Sequence, residues 1–171
     1  MTDRELPNDA LIEIAVIGSI IMYPNKYNDI SKYIVSDKVW YEPKCKILWN
    51  ILSAMIKRRE HIDLMTVSSN LNDGDYINGV DNVFVVDCTN NCGSAGSVDL
   101  YAKKIYEKYL LRLVIDHAKD IEKNAMDNKA DALDTLVSAH TSIGELINLR
   151  PDSTFDINVA LGDAIESIQN T

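Results

Sequence analysis

The side chains that could hold a metal or act as nucleophiles are few: three cysteines, Cys45, Cys88 and Cys92, and three histidines, His61, His117 and His140. Cys88-x-x-x-Cys92 can be written as half of a metal site, but no second pair and no histidine follows at the spacing that structural zinc requires. An odd cysteine count without a paired framework reads as reduced, mostly buried thiols in a cytosolic protein. His61 stands at a loop-to-helix junction, where capping accounts for Asp63 without catalysis. His117 and His140 fall within one predicted helical hairpin and are expected to face each other across it as interface histidines. None of the seven glycines is followed by lysine, so the G-x-x-x-x-G-K phosphate loop is missing. No G-x-S-x-G or H-E-x-x-H occurs, and no two carboxylates are spaced as an acid/base couple. The reading is therefore no catalytic residue, no metal ligand and no cofactor-binding residue.

The element on which the rest of the chain depends is that hairpin, residues 97–149. Its first helix, about Ser97 to Met126, carries Val98, Ala102, Ile105 and Tyr109 at helical spacing. The run Tyr109-Leu110-Leu111-Arg112-Leu113-Val114-Ile115 is apolar almost all the way round and must be covered from several directions. Its second helix, about Lys129 to Leu149, lines up Leu133, Leu136, Val137, His140, Ile143, Gly144 and Ile147, with Ala132, Ala139 and Leu146 widening the stripe. Met126-Asp127-Asn128 is the turn. At ~1.5 Å per residue the first helix is roughly 45 Å long, more than a small core needs. Part of it is expected to project and bind another chain.

The remaining elements form a head, residues 8–96. Asn8 is read as the cap of a helix to about Met22, with Gly18 inside it at a cost of up to ~1 kcal/mol, justified by a close helix contact. A short helix follows from Lys26 to about Ile34, and from Pro43 a helix runs to about Arg58, with Trp49 half-buried. Asp63 caps the next helix, and Asp75 to Asn78 is read as a loop. Val83 to Val86 favours a strand by propensity, but in this context a helix from about Val80 to Thr89 is expected. After Arg150-Pro151 a last amphipathic helix presents Ile157, Leu161, Ile165 and Ile168 as a docking face.

Bulk properties agree with an all-α protein. The 171 residues are 46% hydrophobic and 25% charged, with only seven Gly and four Pro. A net charge of −9 tells against a stand-alone nucleic-acid binder, because phosphate contacts need clustered Lys and Arg. The N-terminus lacks the pattern of a signal peptide, and the longest apolar run, Ile14 to Met22, is too short to span a bilayer. The expected location is the cytoplasm.

Four stretches in order resemble the N-terminal domain of bacterial and phage replicative DNA helicases of the DnaB type, over about Asn8 to Leu149. Glu13-Ile14-Ala15-Val16-Ile17-Gly18-Ser19-Ile20-Ile21 looks like that family's first helix. Asp37-Lys38-Val39-Trp40-Tyr41-Glu42-Pro43 is similar to its next segment, with Lys44-Cys45 where a histidine is common. Ile62-Asp63-Leu64-Met65-Thr66-Val67 matches a further stretch, with His61 in place of a proline. Ser97 to Ile105 looks like the entry to the hairpin. A departure lies at Val80-Asp81-Asn82, where a glycine pair is usual.

The resemblance implies a compact helical head, a long antiparallel hairpin, and a linker helix region, residues 150–171, leading to a motor domain absent from this sequence. ATP and Mg would belong to that motor alone. It also implies dimers arranged as a trimer of dimers in a hexameric collar that receives primase and a loader and meets DNA only through the ring. The expected oligomer and partner interface is Tyr109, Leu110, Leu113, His117, Leu133, Leu136, Val137, His140, Ile143 and Ile147. The alternative is a stand-alone primase- or loader-like adaptor that binds a helicase.

Overall fold

A computed structural model of the chain describes residues 5–127 and 131–149, and every described element is helical. The order is α1 (Ala10–Met22), α2 (Tyr27–Ile30), α3 (Pro43–Lys57), α4 (Leu64–Ser69), α5 (Asp73–Ile77), α6 (Asn82–Asn90), α7 (Val98–Ala125) and α8 (Ala132–Ile147), with 3-10 turns at Pro24–Lys26 and Asp37–Val39. The expected final helix, with Ile157, Leu161, Ile165 and Ile168, lies outside the described residues. None of the described helices is long and apolar enough to cross a membrane.

Side-chain caps set most of the helix starts. Asp9, rather than Asn8, caps α1 by accepting from Ile12 N at 3.2 Å, while Asn8 donates to Glu5 Oε1 and the Leu6 carbonyl. Asp63 and Thr66 form a reciprocal box at 2.8 and 2.9 Å, which satisfies two otherwise orphaned N–H groups. Asn72 and Asp75 repeat that box and start α5 where the sequence reading placed a loop. Asp81 caps α6, and the stretch open to a strand reading is helical. Asp131 starts α8 by accepting from Leu133 N and Asp134 N.

The chain divides into two compact units, after Arg112. This differs from the expected boundary at residue 96. The first turns of α7 bury Val98, Ala102, Ile105 and Tyr106 in the head core, so they belong to the head. That core is built on Val16, Ile17 and Ile20 of α1, Leu48, Leu52 and Met55 of α3, and Val85 of α6. Trp49 is buried rather than half-buried: its ring stacks on Tyr27 at 5.0 Å and tilts against Trp40 at 5.5 Å. Gly18 has the close contact expected of it, because α6 passes so near that a Cβ there would lie 1.8 Å from the Cys88 carbonyl oxygen.

Candidate assembly interface

The expected interface residues separate into two groups. On α7, Tyr109 and Leu110 are half-buried against the head core. Tyr109 tilts against Tyr106 at 5.9 Å, and the Arg112 guanidinium lies 5.8 Å from its ring centre. These two side chains are largely occupied within one copy of the chain. Leu113 is half-buried in the second unit, as is Ile115. Leu111 and Val114 are half exposed. The apolar belt is thus not uniformly exposed, and its one charged member is among its most buried.

That member, Arg112, is 8% exposed. It donates to the Pro7 carbonyl at 2.8 Å and to the Val39 carbonyl at 2.6 Å, and faces the Tyr41 ring. Nearby, Glu13 is 1% exposed and accepts from Tyr41 N at 2.9 Å and Glu42 N at 2.8 Å, at the start of α3. Burial pushes its carboxyl above the ordinary carboxylate value, while those N–H donors and the Arg112 charge pull the other way. This buried acid and base pin α1, the Val39–Glu42 turn and α7 together. Sequence reasoning missed the pair, although each is a lone charge inside an apolar run.

On α8 the pattern is different, since none of its residues is buried. Thr135, Ala139, Ser142 and Leu146 are half-buried, and Ser142 marks the side turned to α7, because its Oγ hydrogen-bonds His117 Nδ1. The expected facing of His117 and His140 is therefore corrected: His117 pairs with Ser142, and His140 is exposed. His117 of α7 meets the packing side of α8, whereas His140 stands on α8 away from that side. The stripe itself is open, with Leu133 69%, Leu136 68%, Val137 60%, Ile143 51% and Ile147 48% exposed. Between Leu133 and Ile147 along that stripe no Lys, Arg, Asp or Glu intervenes.

Two of the three thiols are buried. Burial lifts the Cys45 thiol far above its usual range, and burial together with the Asp87 charge pushes Cys88 up to about 12. Such thiols stay protonated and make poor ligands or nucleophiles. Among the described residues no three His, Cys, Asp or Glu side chains gather as a metal site.

Comparison with known proteins decides the family. The model of the DnaB-like helicase N-terminal domain matches residues 5–107. The chain belongs to this family. Among curated proteins, it is 28% identical to the replicative DNA helicase DnaC of Bacillus subtilis (strain 168), over 99% of this chain and 38% of that protein. It is 24% identical to the replicative DNA helicase DnaB of Rhodothermus marinus, over 97% of this chain and 18% of that protein. The chain therefore spans well under half the length of these relatives. The N-terminal domain of DnaB helicase from Mycobacterium tuberculosis superposes with a TM-score of 0.72 at 18% identity, covering 82% of this chain and 99% of that one. A DnaB-like replicative helicase described with its primase interactions gives 0.63 at 16% identity, covering 93% of this chain and 35% of that one. The DnaB N-terminal fold is all-helical, and so is this chain among its described residues.

Proposed function

We propose that this chain acts as the oligomerisation and partner-binding N-terminal domain of a hexameric replicative DNA helicase. Copies pair through the hairpin, dimers assemble three-fold into a collar, and the collar receives primase and a helicase loader. Residues 97–149 form the assembly element, and the helicase's motor is a separate domain. ATP and Mg act in that motor, DNA is engaged only by the assembled ring, and the setting is the cytoplasm.

The observation that carries this reading is the uncharged, exposed apolar stripe of α8 in a chain whose family and relatives are replicative helicases. Exposed apolar surface arranged contiguously along a helix marks an interaction site, whereas single exposed residues need no explanation. The primase assignment draws on the structural neighbour described with primase. The adaptor alternative draws no support from relatives that are themselves helicases.

The test is sedimentation equilibrium of the chain from low to high micromolar concentration, beside Leu136→Asp and Ile143→Asp. The reading expects dimers or larger species for the parent and monomers for both variants, with unchanged head stability. A parent that remains monomeric throughout sinks it. Co-sedimentation with primase from the same replication system, weakened by disassembling variants, tests the second half.

A further inference from the structure

Resting on the assembly reading above, we infer that two copies of α8 cross at Gly144, where their backbones come into close approach. Among the described residues two glycines lie inside long helices, and the structure explains one. Gly18 is required because any Cβ would run into the Cys88 carbonyl. For Gly144 a Cβ would meet nothing within 4 Å. A mid-helix glycine costs ~0.8–1 kcal/mol relative to alanine, and no contact among the described residues offsets that cost. Its position supplies the reason. Gly144 is itself half-buried, but by helix period it falls beside the exposed His140, Ile143 and Ile147, on the side of α8 away from Thr135, Ala139, Ser142 and Leu146.

A second copy is the occupant that fits. The stripe contains no Lys, Arg, Asp or Glu, so like charges are not opposed when it meets itself, and a two-fold interface places the same patch on both sides. The area argues for close approach as well. Full burial of Leu, Ile or Val removes roughly 60–120 Å² of apolar surface at ~25 cal/mol/Å². At the exposures found, the five large side chains supply about half the apolar area that each partner contributes to a standard interface of ~800 Å² per side. The remainder has to come from backbone and flanking side chains drawn inward. A residue without Cβ permits that, bringing two axes to or below the usual ~8–10 Å separation.

Dilution sedimentation of the chain compares Gly144→Leu with Glu145→Leu, an adjacent exposed position off the stripe. Gly144→Leu is expected to weaken self-association at least tenfold, without loss of helicity at monomeric concentration, and Glu145→Leu to leave it unchanged. Independently of folding in that variant, Gly144→Cys in a Cys92→Ser background is oxidised and compared with Leu133→Cys. A crossing at Gly144 brings the two Cα atoms within the ~4.4–6.8 Å that a disulfide needs, so it cross-links faster than the stripe's end. If Gly144→Leu associates as tightly as the parent and Gly144→Cys shows no advantage, the crossing is refuted while the assembly reading stands. A parent that never associates removes both.

Discussion

Replacing Gly18 by alanine tests whether the head is organised by the contact between α1 and α6. An ideal Cβ at this position lies 1.8 Å from the Cys88 carbonyl oxygen, 2.4 Å from its carbon and 3.1 Å from Thr89 N. Carbon atoms pack at ~3.5–4.0 Å, so the helices must part by more than an ångström at this point. The obstacle is backbone, held inside a helix that Asp81 caps at 2.8 Å, and it has no rotamer to change. Separation loosens Val16, Ile17 and Ile20 on one side and Val85 and Cys88 on the other, all fully buried. Overpacking of this kind costs ~1–3 kcal/mol and sometimes more, against ~1 kcal/mol gained in helix propensity. Because the obstacle is backbone, the upper end of that range applies and a net loss of about 2 kcal/mol is expected, a large share of the ~5–15 kcal/mol that holds a domain together. Urea unfolding followed by the fluorescence of Trp40 and Trp49, both in the core, measures it directly. Shortening the side chain with Cys88→Ala should bring no rescue, because the clash is with the carbonyl. A Gly18→Ala chain as stable as the parent, or one rescued by Cys88→Ala, would refute the reasoning.

Glu13→Gln removes the charge that faces Arg112 and leaves one of the two N–H donors at Tyr41 and Glu42 facing an amide NH₂; a loss of ~1.5–3 kcal/mol is expected at neutral pH. Because burial raises the folded carboxyl above its ordinary 4.5, the folded parent takes up a proton before the unfolded chain does. Glu13's contribution therefore grows as pH falls through the folded value and is complete below the unfolded one. The stability gap between parent and Glu13→Gln should widen between pH 7 and about pH 4.5 in paired urea titrations; a narrowing gap contradicts the burial argument. Arg112→Ala removes the donor from the Pro7 and Val39 carbonyls and a positive charge that favours the buried Glu13 carboxylate, a loss of ~2–4 kcal/mol, and lysine should recover only part of it. Arg59 follows α3 at φ 57°, where Arg59 N and Glu60 N close on the Ile56 and Met55 carbonyls. Arg59→Gly should therefore stabilise the head by ~0.5–1 kcal/mol in thermal unfolding, and a drop would mean that the Arg59 side chain contributes more than its backbone costs.

What the sequence disclosed follows the range of the forces involved. Helix period and caps are local, so α3, α4, α6 and α7 could be placed to within a few residues, and the need for close contact at Gly18 could be stated before its partner was known. α5 was missed because five residues are too few to show a period and Gly74 reads as a breaker, although Asn72 and Asp75 already spelled a cap. The role of Arg112 was hidden for the opposite reason. Its acceptors stand 105 and 73 positions away, and a one-dimensional run of apolar neighbours gives no hint of them. Lone opposite charges in two apolar stretches, Glu13 and Arg112, were the available signal. The α8 pattern gave a face without saying what covers it: α7 takes the side bearing Ala139, Ser142 and Leu146, and the larger stripe is left open.

That division bears on stability as well as on assembly. The head saturates its own core, whereas α8 is a 16-residue helix with no buried residue. Isolated helices of about that length are marginal in water, and most helical stability in proteins comes from covering an amphipathic face. Within one copy, α8 covers only the narrow side marked by Ser142 and His117. Its larger apolar face contributes once something is laid against it, so under the proposed pairing of copies the order of α8 and the association draw on the same surface. Association that requires the folded helix would stabilise it by mass action, and its apparent stability would then depend on concentration while that of the head would not. Thermal unfolding of the parent at two concentrations about a hundredfold apart is expected to shift the loss of α8 and leave the head transition in place.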